Sequence, residues 1–260
     1  MQLKATNLTI MPLPAKTKST ALLPFYIAAL LCSLMTSPAT AQPMPTFSAS
    51  YVVENDLVTA GKAKLRLTKK EDHFELLLET KPTGVFRLSK KGKIREVAEL
   101  PSLSPPFLSD KYSYTNQGDK KRSFTSVFNR SNSEATFVRN DNTTNVPIED
   151  NAVDKLSMML SMMQQVRAQP DIENFSINTI DTKGIQTYNF VSEGQETLKT
   201  SLGNLSVTRI NQQRENSSRN TITWLAPIGP DAVPVPVQIE HYKRGKMTAR
   251  FKIAEFSAIE

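Results

Sequence analysis

The chain has 260 residues, 32 basic against 25 acidic, and one cysteine, Cys32. A net charge of +7 over that length is too mild for a nucleic-acid footprint, and one cysteine excludes an internal disulfide framework. In chain order, Lys4, Lys16 and Lys18 stand in a leading stretch without Asp or Glu, and an apolar run follows from Ala21 to Leu34. Ala39-Thr40-Ala41 then offers a small-x-small cleavage site before Gln42. Residues 1–41 therefore read as an export signal, cleaved after Ala41, and residues 42–260 as the mature domain. Pro24 and the shortness of the apolar run argue against a spanning anchor, so no integral membrane span is expected in the mature form. Cys32 follows the bulky Leu31, which disfavours a lipoprotein site. Cleavage leaves 219 residues without cysteine and a net charge of +4, which points to the periplasm of a Gram-negative bacterium and to a fold held by packing alone.

After the Pro-rich lead Gln42 to Pro45, hydrophobic period two predicts half-buried strands. Phe47, Ala49, Tyr51 and Val53 form one face, Ala63, Leu65 and Leu67 the next, and Phe74, Leu76 and Leu78 a third. Further strands are predicted over 93–100, 107–115, 122–129 and 134–139, separated by turn chemistry at Pro105-Pro106, Asn116 to Asp119 and Arg130 to Asn132. The basic clusters Lys90 to Lys93 and Lys120 to Arg122 sit beside such turns and read as hairpin tips. Asn140 to Asn142 opens a polar connection.

The period then changes. Val153, Leu156, Met159, Leu160, Met163 and Val166 form a helical stripe, and a helix is predicted from Asn151 to Arg167, with Asp154 in its first turn and Pro170 beyond its end. Strands resume over 174–181, 186–192, 195–200, 205–212, 219–225, 233–242 and 246–256. Pro234 and Pro236 lack amide donors and suit a sheet edge. With no βαβ rhythm, the expectation is mainly β: one curved or partly closed antiparallel sheet, or half-barrel, with one substantial helix.

Candidate chemistry is sparse. His73 and His241 each lie in a predicted strand, neither in metal-ligand spacing, and no Ser sits in a Gly-x-Ser-x-Gly elbow. Asp154 and Ser157 share a helix face while Lys155 points elsewhere, a pattern that suits helix-start electrostatics better than a catalytic trio. Glu193 and Glu196 are the one carboxylate pair a remote hydrolase reading could use. No catalytic residue, cofactor or metal is expected. Met158, Met159, Met162 and Met163 make the helix unusually adaptable. It suits either a core plug or a lid over a lipid-like ligand, and Met159, Met163, Leu156, Leu160 and Trp224 are the candidate ligand-binding residues.

The run Gly194, Glu196, Leu198, Thr200 and Gly203, followed by Thr223-Trp224-Leu225-Ala226-Pro227 and Val233 to Val237, resembles the bacterial exported proteins grouped as domain of unknown function 3108. Tyr51 through Leu67 and Asp154 to Ser157 fit the same pattern. The resemblance implies a fold rather than an activity, and a curved sheet embracing a helix is similar in architecture to outer-membrane lipoprotein carriers. Two expectations follow. The protein binds an apolar or amphipathic ligand in a β-shell cavity, or it is an envelope assembly or structural factor that binds a protein partner through its sheet.

Overall fold

A computed structural model describes residues 42–55, 58–88 and 92–259. The export signal at 1–41, and Lys90 and Lys91 of the first basic cluster, lie outside the described residues. The strands before the helix are β1 (Phe47–Asn55), β2 (Val58–Lys69), β3 (Phe74–Pro82), β4 (Ile94–Leu100), β5 (Lys111–Asn116), β6 (Phe124–Asn129), β7 (Glu134–Arg139) and β8 (Asn142–Pro147). The helix is α1 (Ser157–Ala168). After it come β9 (Asn174–Asp181), β10 (Gly184–Thr200), β11 (Gly203–Gln213), β12 (Arg219–Ile228), β13 (Val233–Lys243) and β14 (Lys246–Ala258).

All 14 strands form one antiparallel sheet in the order β8-β7-β6-β5-β4-β3-β2-β1-β14-β13-β12-β11-β10-β9. Each strand pairs with its sequence neighbour, except that β1 lies against β14 and joins the two halves at the centre. The expected period-two faces are realised: Phe47, Ala49, Tyr51 and Val53 are buried on β1, as are Ala63, Leu65 and Leu67 on β2. The sheet is mainly β with one helix and does not close, because β8 and β9 are its two ends.

The helix joins those ends. On its way in, the chain runs beside β9 as a single parallel bridge, where Val153 N–H donates to Asn178 O at 3.0 Å and Ile180 N–H to Val153 O at 2.9 Å. This seam explains why α1 begins at Ser157 rather than Asn151. Val153 keeps an extended partner, and its apolar side chain fell into the helical stripe by spacing alone. The strand β8 was expected as a polar connection, since Asn142, Thr143, Thr144 and Asn145 are all exposed and carry no alternation. Its pairing with β7 defines it instead.

Two departures within strands bend the sheet. The segments 186–192 and 195–200 form one strand, β10, kinked by a bulge between Ser192 and Gln195, where Gly194 adopts φ +93°. The prolines of β13 do occupy an edge, though a local one. β13 pairs with β14 only from Gln238 onward, so Val233 to Val237 has parted from that neighbour while β12 still flanks it.

Candidate functional site

The helix sits in the concave face and is enclosed almost all round: Ser157, Met158, Leu160, Met162, Met163, Gln164 and Val166 are buried. Its start is fixed by Asp154. One carboxylate oxygen accepts from Leu156 N–H at 2.7 Å and Ser157 N–H at 2.9 Å, and the other from the Ser157 hydroxyl. These bonds serve amides that open a helix without a partner. Burial raises the Asp154 carboxyl above its ordinary value, opposed by those same hydrogen bonds. Asp154 and Ser157 therefore share a face and cap the helix, while Lys155 turns outward.

Between α1 and the sheet lies a cavity of about 160 Å³. Met158, Met159 and Met162 project into it from the helix, with Leu156 at one end. Opposite stand Leu65, Phe190, Ile239 and Phe251. Residues from every strand between β4 and β10 in the sheet order reach this one void, which is possible only because the sheet curls around the helix. The mouth is polar. Lys155 and His241 are exposed there, beside Glu96, Gln212 and Thr221.

These polar groups are unequally committed. Glu96 accepts from the Tyr112 hydroxyl at 2.5 Å. His241 Nδ1 lies 3.0 Å from Thr221 Oγ1, and its ring stands edge-on to Phe251 at 5.6 Å. Although one edge of the imidazole reaches solvent, atoms crowd the remainder. That enclosure, with the neighbouring Lys155 charge, lowers its pKa to about 4. Lys155 itself has no ion pair or hydrogen bond among the described residues.

The five candidate ligand-binding residues are thus divided. Leu156 and Met159 line the cavity. Leu160 and Met163 are fully buried and belong to the solid packing around it. Trp224 does not line it: the indole N–H donates to Glu196, and Arg209 lies 5.4 Å over its ring. Thr221 and Thr223 do face the void, and the register of β12 is unbroken through Trp224, so alternation puts the indole on the opposite face of the strand. Sequence reasoning did not single out Phe190, Gln212 or Thr221, which face the void from β10, β11 and β12. Strand alternation alone would have paired Ile239 with His241 on one face, an apolar neighbour for a histidine that hinted at the mouth.

The family-like residues build a different feature. Gly203, at φ +110°, closes the β10–β11 hairpin, where Thr200 Oγ1 donates to Gly203 O at 2.9 Å and Leu198 pairs with Leu205. The hairpin folds back over the sheet, and the Ser201 hydroxyl reaches Ile253 O at 2.7 Å and Ala254 O at 3.1 Å. Glu193 is held by Arg209 at 3.1 Å and Asn211 at 2.8 Å, and neither it nor Glu196 lines the cavity. Among the described residues no three His, Cys, Asp or Glu side chains gather as a metal site, and no helix is long and apolar enough to cross a membrane.

Among solved structures, a β-barrel-like protein of domain of unknown function DUF1849 from Brucella abortus is similar at a TM-score of 0.52 and 8% identity, covering 84% of this chain and 100% of its own. That likeness concerns the fold alone. A candidate exported protein with a YmcC-like fold from Bacteroides fragilis (TM-score 0.32, 7% identity) covers 83% of this chain and 97% of its own. A candidate lipoprotein from Parabacteroides distasonis (TM-score 0.29, 10% identity) covers 83% and 96%. No curated protein sequence matches. The sequence does match a family model over residues 46–252, from the first strand through most of the last, and the chain belongs to that family, described as protein of unknown function DUF3108.

Proposed function

We propose that this protein is a non-catalytic periplasmic binding protein that takes an apolar or amphipathic ligand between its curled sheet and the methionine face of α1. The observation that carries this reading is the void itself. It is apolar in its depth and opens through a polar mouth, so an amphipathic molecule can reach it from solvent and bury its apolar part against the helix and sheet. Three flexible thioethers lining one apolar pocket can adapt their shape to an occupant.

The alternative, an envelope assembly or structural factor binding a protein through its sheet, draws on the open end at β8, where Asn142 to Asn145 are exposed. Native mass spectrometry of the protein purified from its own envelope separates the two. A small-molecule mass increment, absent from a cavity-filling Met162→Phe variant that is as stable as wild type, is the expected result. Wild-type protein without an increment, together with a Met162→Phe variant that gains about 1 kcal/mol or more, would make the void a simple packing defect and favour the sheet-edge reading.

A further inference from the structure

The shape and charge of the cavity narrow the ligand class, on the premise that the cavity is a ligand site as proposed above. We infer that it takes a small, singly charged anionic amphiphile, with an apolar part of about six carbons in the void and its anionic group on Lys155. Size comes first. A void near 150 Å³ holds a benzene-sized guest, so about 160 Å³ accepts a ring or a short chain but not a long acyl tail.

Charge comes second. Lys155 is the one cation lining the void, it is exposed, and it makes no ion pair or hydrogen bond among the described residues. Glu96, the one carboxylate lining the void, is held by the Tyr112 hydroxyl, whereas Lys155 lies near His241, so the anionic group is assigned to the Lys155 side of the mouth. Gln212 and Thr221 line the same void, where they hydrogen-bond Met158 Sδ at 3.9 Å and His241 Nδ1 at 3.0 Å, and can offer amide and hydroxyl donors to an anion. The apolar depth and a single free cation at the rim therefore complement one head and one short tail.

The test follows the methyl signals of Met158, Met159 and Met162 by nuclear magnetic resonance while the mature chain is titrated with hexanoate, hexanol or hexylammonium. Hexanoate should bind up to about fivefold more tightly than hexanol, the upper end for an exposed ion pair, and hexylammonium most weakly. Lys155→Gln, at an exposed and unpaired position, should erase the preference for hexanoate and leave hexanol unchanged. Affinity should rise about fourfold per methylene from butanoate to hexanoate and then level off by decanoate. Equal binding of hexanoate and hexanol, a preference that survives Lys155→Gln, or tighter hexylammonium would overturn the anionic assignment while leaving the cavity as a ligand site. Continued gain through decanoate would overturn the size limit. Methyl signals that respond to none of the three probes would remove the binding reading itself.

Discussion

Asp154 illustrates how one side chain can hold an element in place. It is fully buried, and both carboxylate oxygens serve the first turn of α1. Replacing it by Ala leaves the Leu156 and Ser157 amides without an acceptor, and a loss of about 1–3 kcal/mol is expected in urea unfolding. Asp154→Asn keeps one acceptor oxygen and should cost less. His241 works in the opposite sense. Its folded-state pKa lies near 4, below the ordinary value of 6.5, so the unfolded chain binds the proton more readily. Its neutral form stabilises the fold above about pH 6.5, and that contribution is lost as the pH falls from there toward 4. The edge of the ring open to solvent keeps the effect small. His241→Gln should flatten the fall in melting temperature across that window, and an unchanged slope would place the acid sensitivity elsewhere.

At the scale of elements, the β10–β11 hairpin is the most distinctive part of the chain. Gly194 and Gly203 both adopt positive φ with open space around their α-carbons, so backbone conformation rather than crowding demands glycine there. Alanine at either position should cost about 1–2 kcal/mol. Trp224 provides a direct readout, being the sole tryptophan and 7% exposed beside Glu196 and Arg209. Gly194→Ala should therefore shift tryptophan emission to the red before the bulk of the sheet unfolds, as the bulge that turns the hairpin is strained. Emission that changes only with global unfolding would mean that the hairpin stays docked through its Ser201 and Glu196 contacts whatever stands at position 194.

Across the whole molecule, the sheet is joined at its centre by β1 and β14, and its β9 end is bridged by the chain that leads into α1. Val153 provides the only bridge to β9 among the described residues outside the named strands. Val153→Pro removes the N–H that reaches Asn178 O, and a loss of about 1–3 kcal/mol is expected, together with faster hydrogen exchange at Ile180, whose amide depends on the same seam. The first described residues are also tied down: Arg167 donates to Gln42 Oε1 at 2.9 Å and to Pro43 O at 3.2 Å. Amino-terminal sequencing of exported protein should begin at Gln42, and a mature form starting with acylated Cys32 would overturn that assignment.

Local periodicity was enough for the sequence to determine the class of the fold. Alternation on β1, β2 and β3, and the helical spacing of Leu156, Met159, Leu160 and Met163, depend on residues close in the chain and needed no partner to be read. The same holds for the glycines of the hairpin, whose motif also marked the family. Tertiary structure decided what local pattern cannot carry. The pairing of Val153 with β9 overrode a helical stripe, and the partnership with β7 made a strand of the polar residues 142–147. The cavity belongs wholly to this second category. Phe190 on β10 and Leu65 on β2 face one void because strands far apart in the sheet curl around α1, and Trp224, chosen for its size, takes the opposite face of β12 from Thr221 and Thr223, where Glu196 of the hairpin receives its indole N–H.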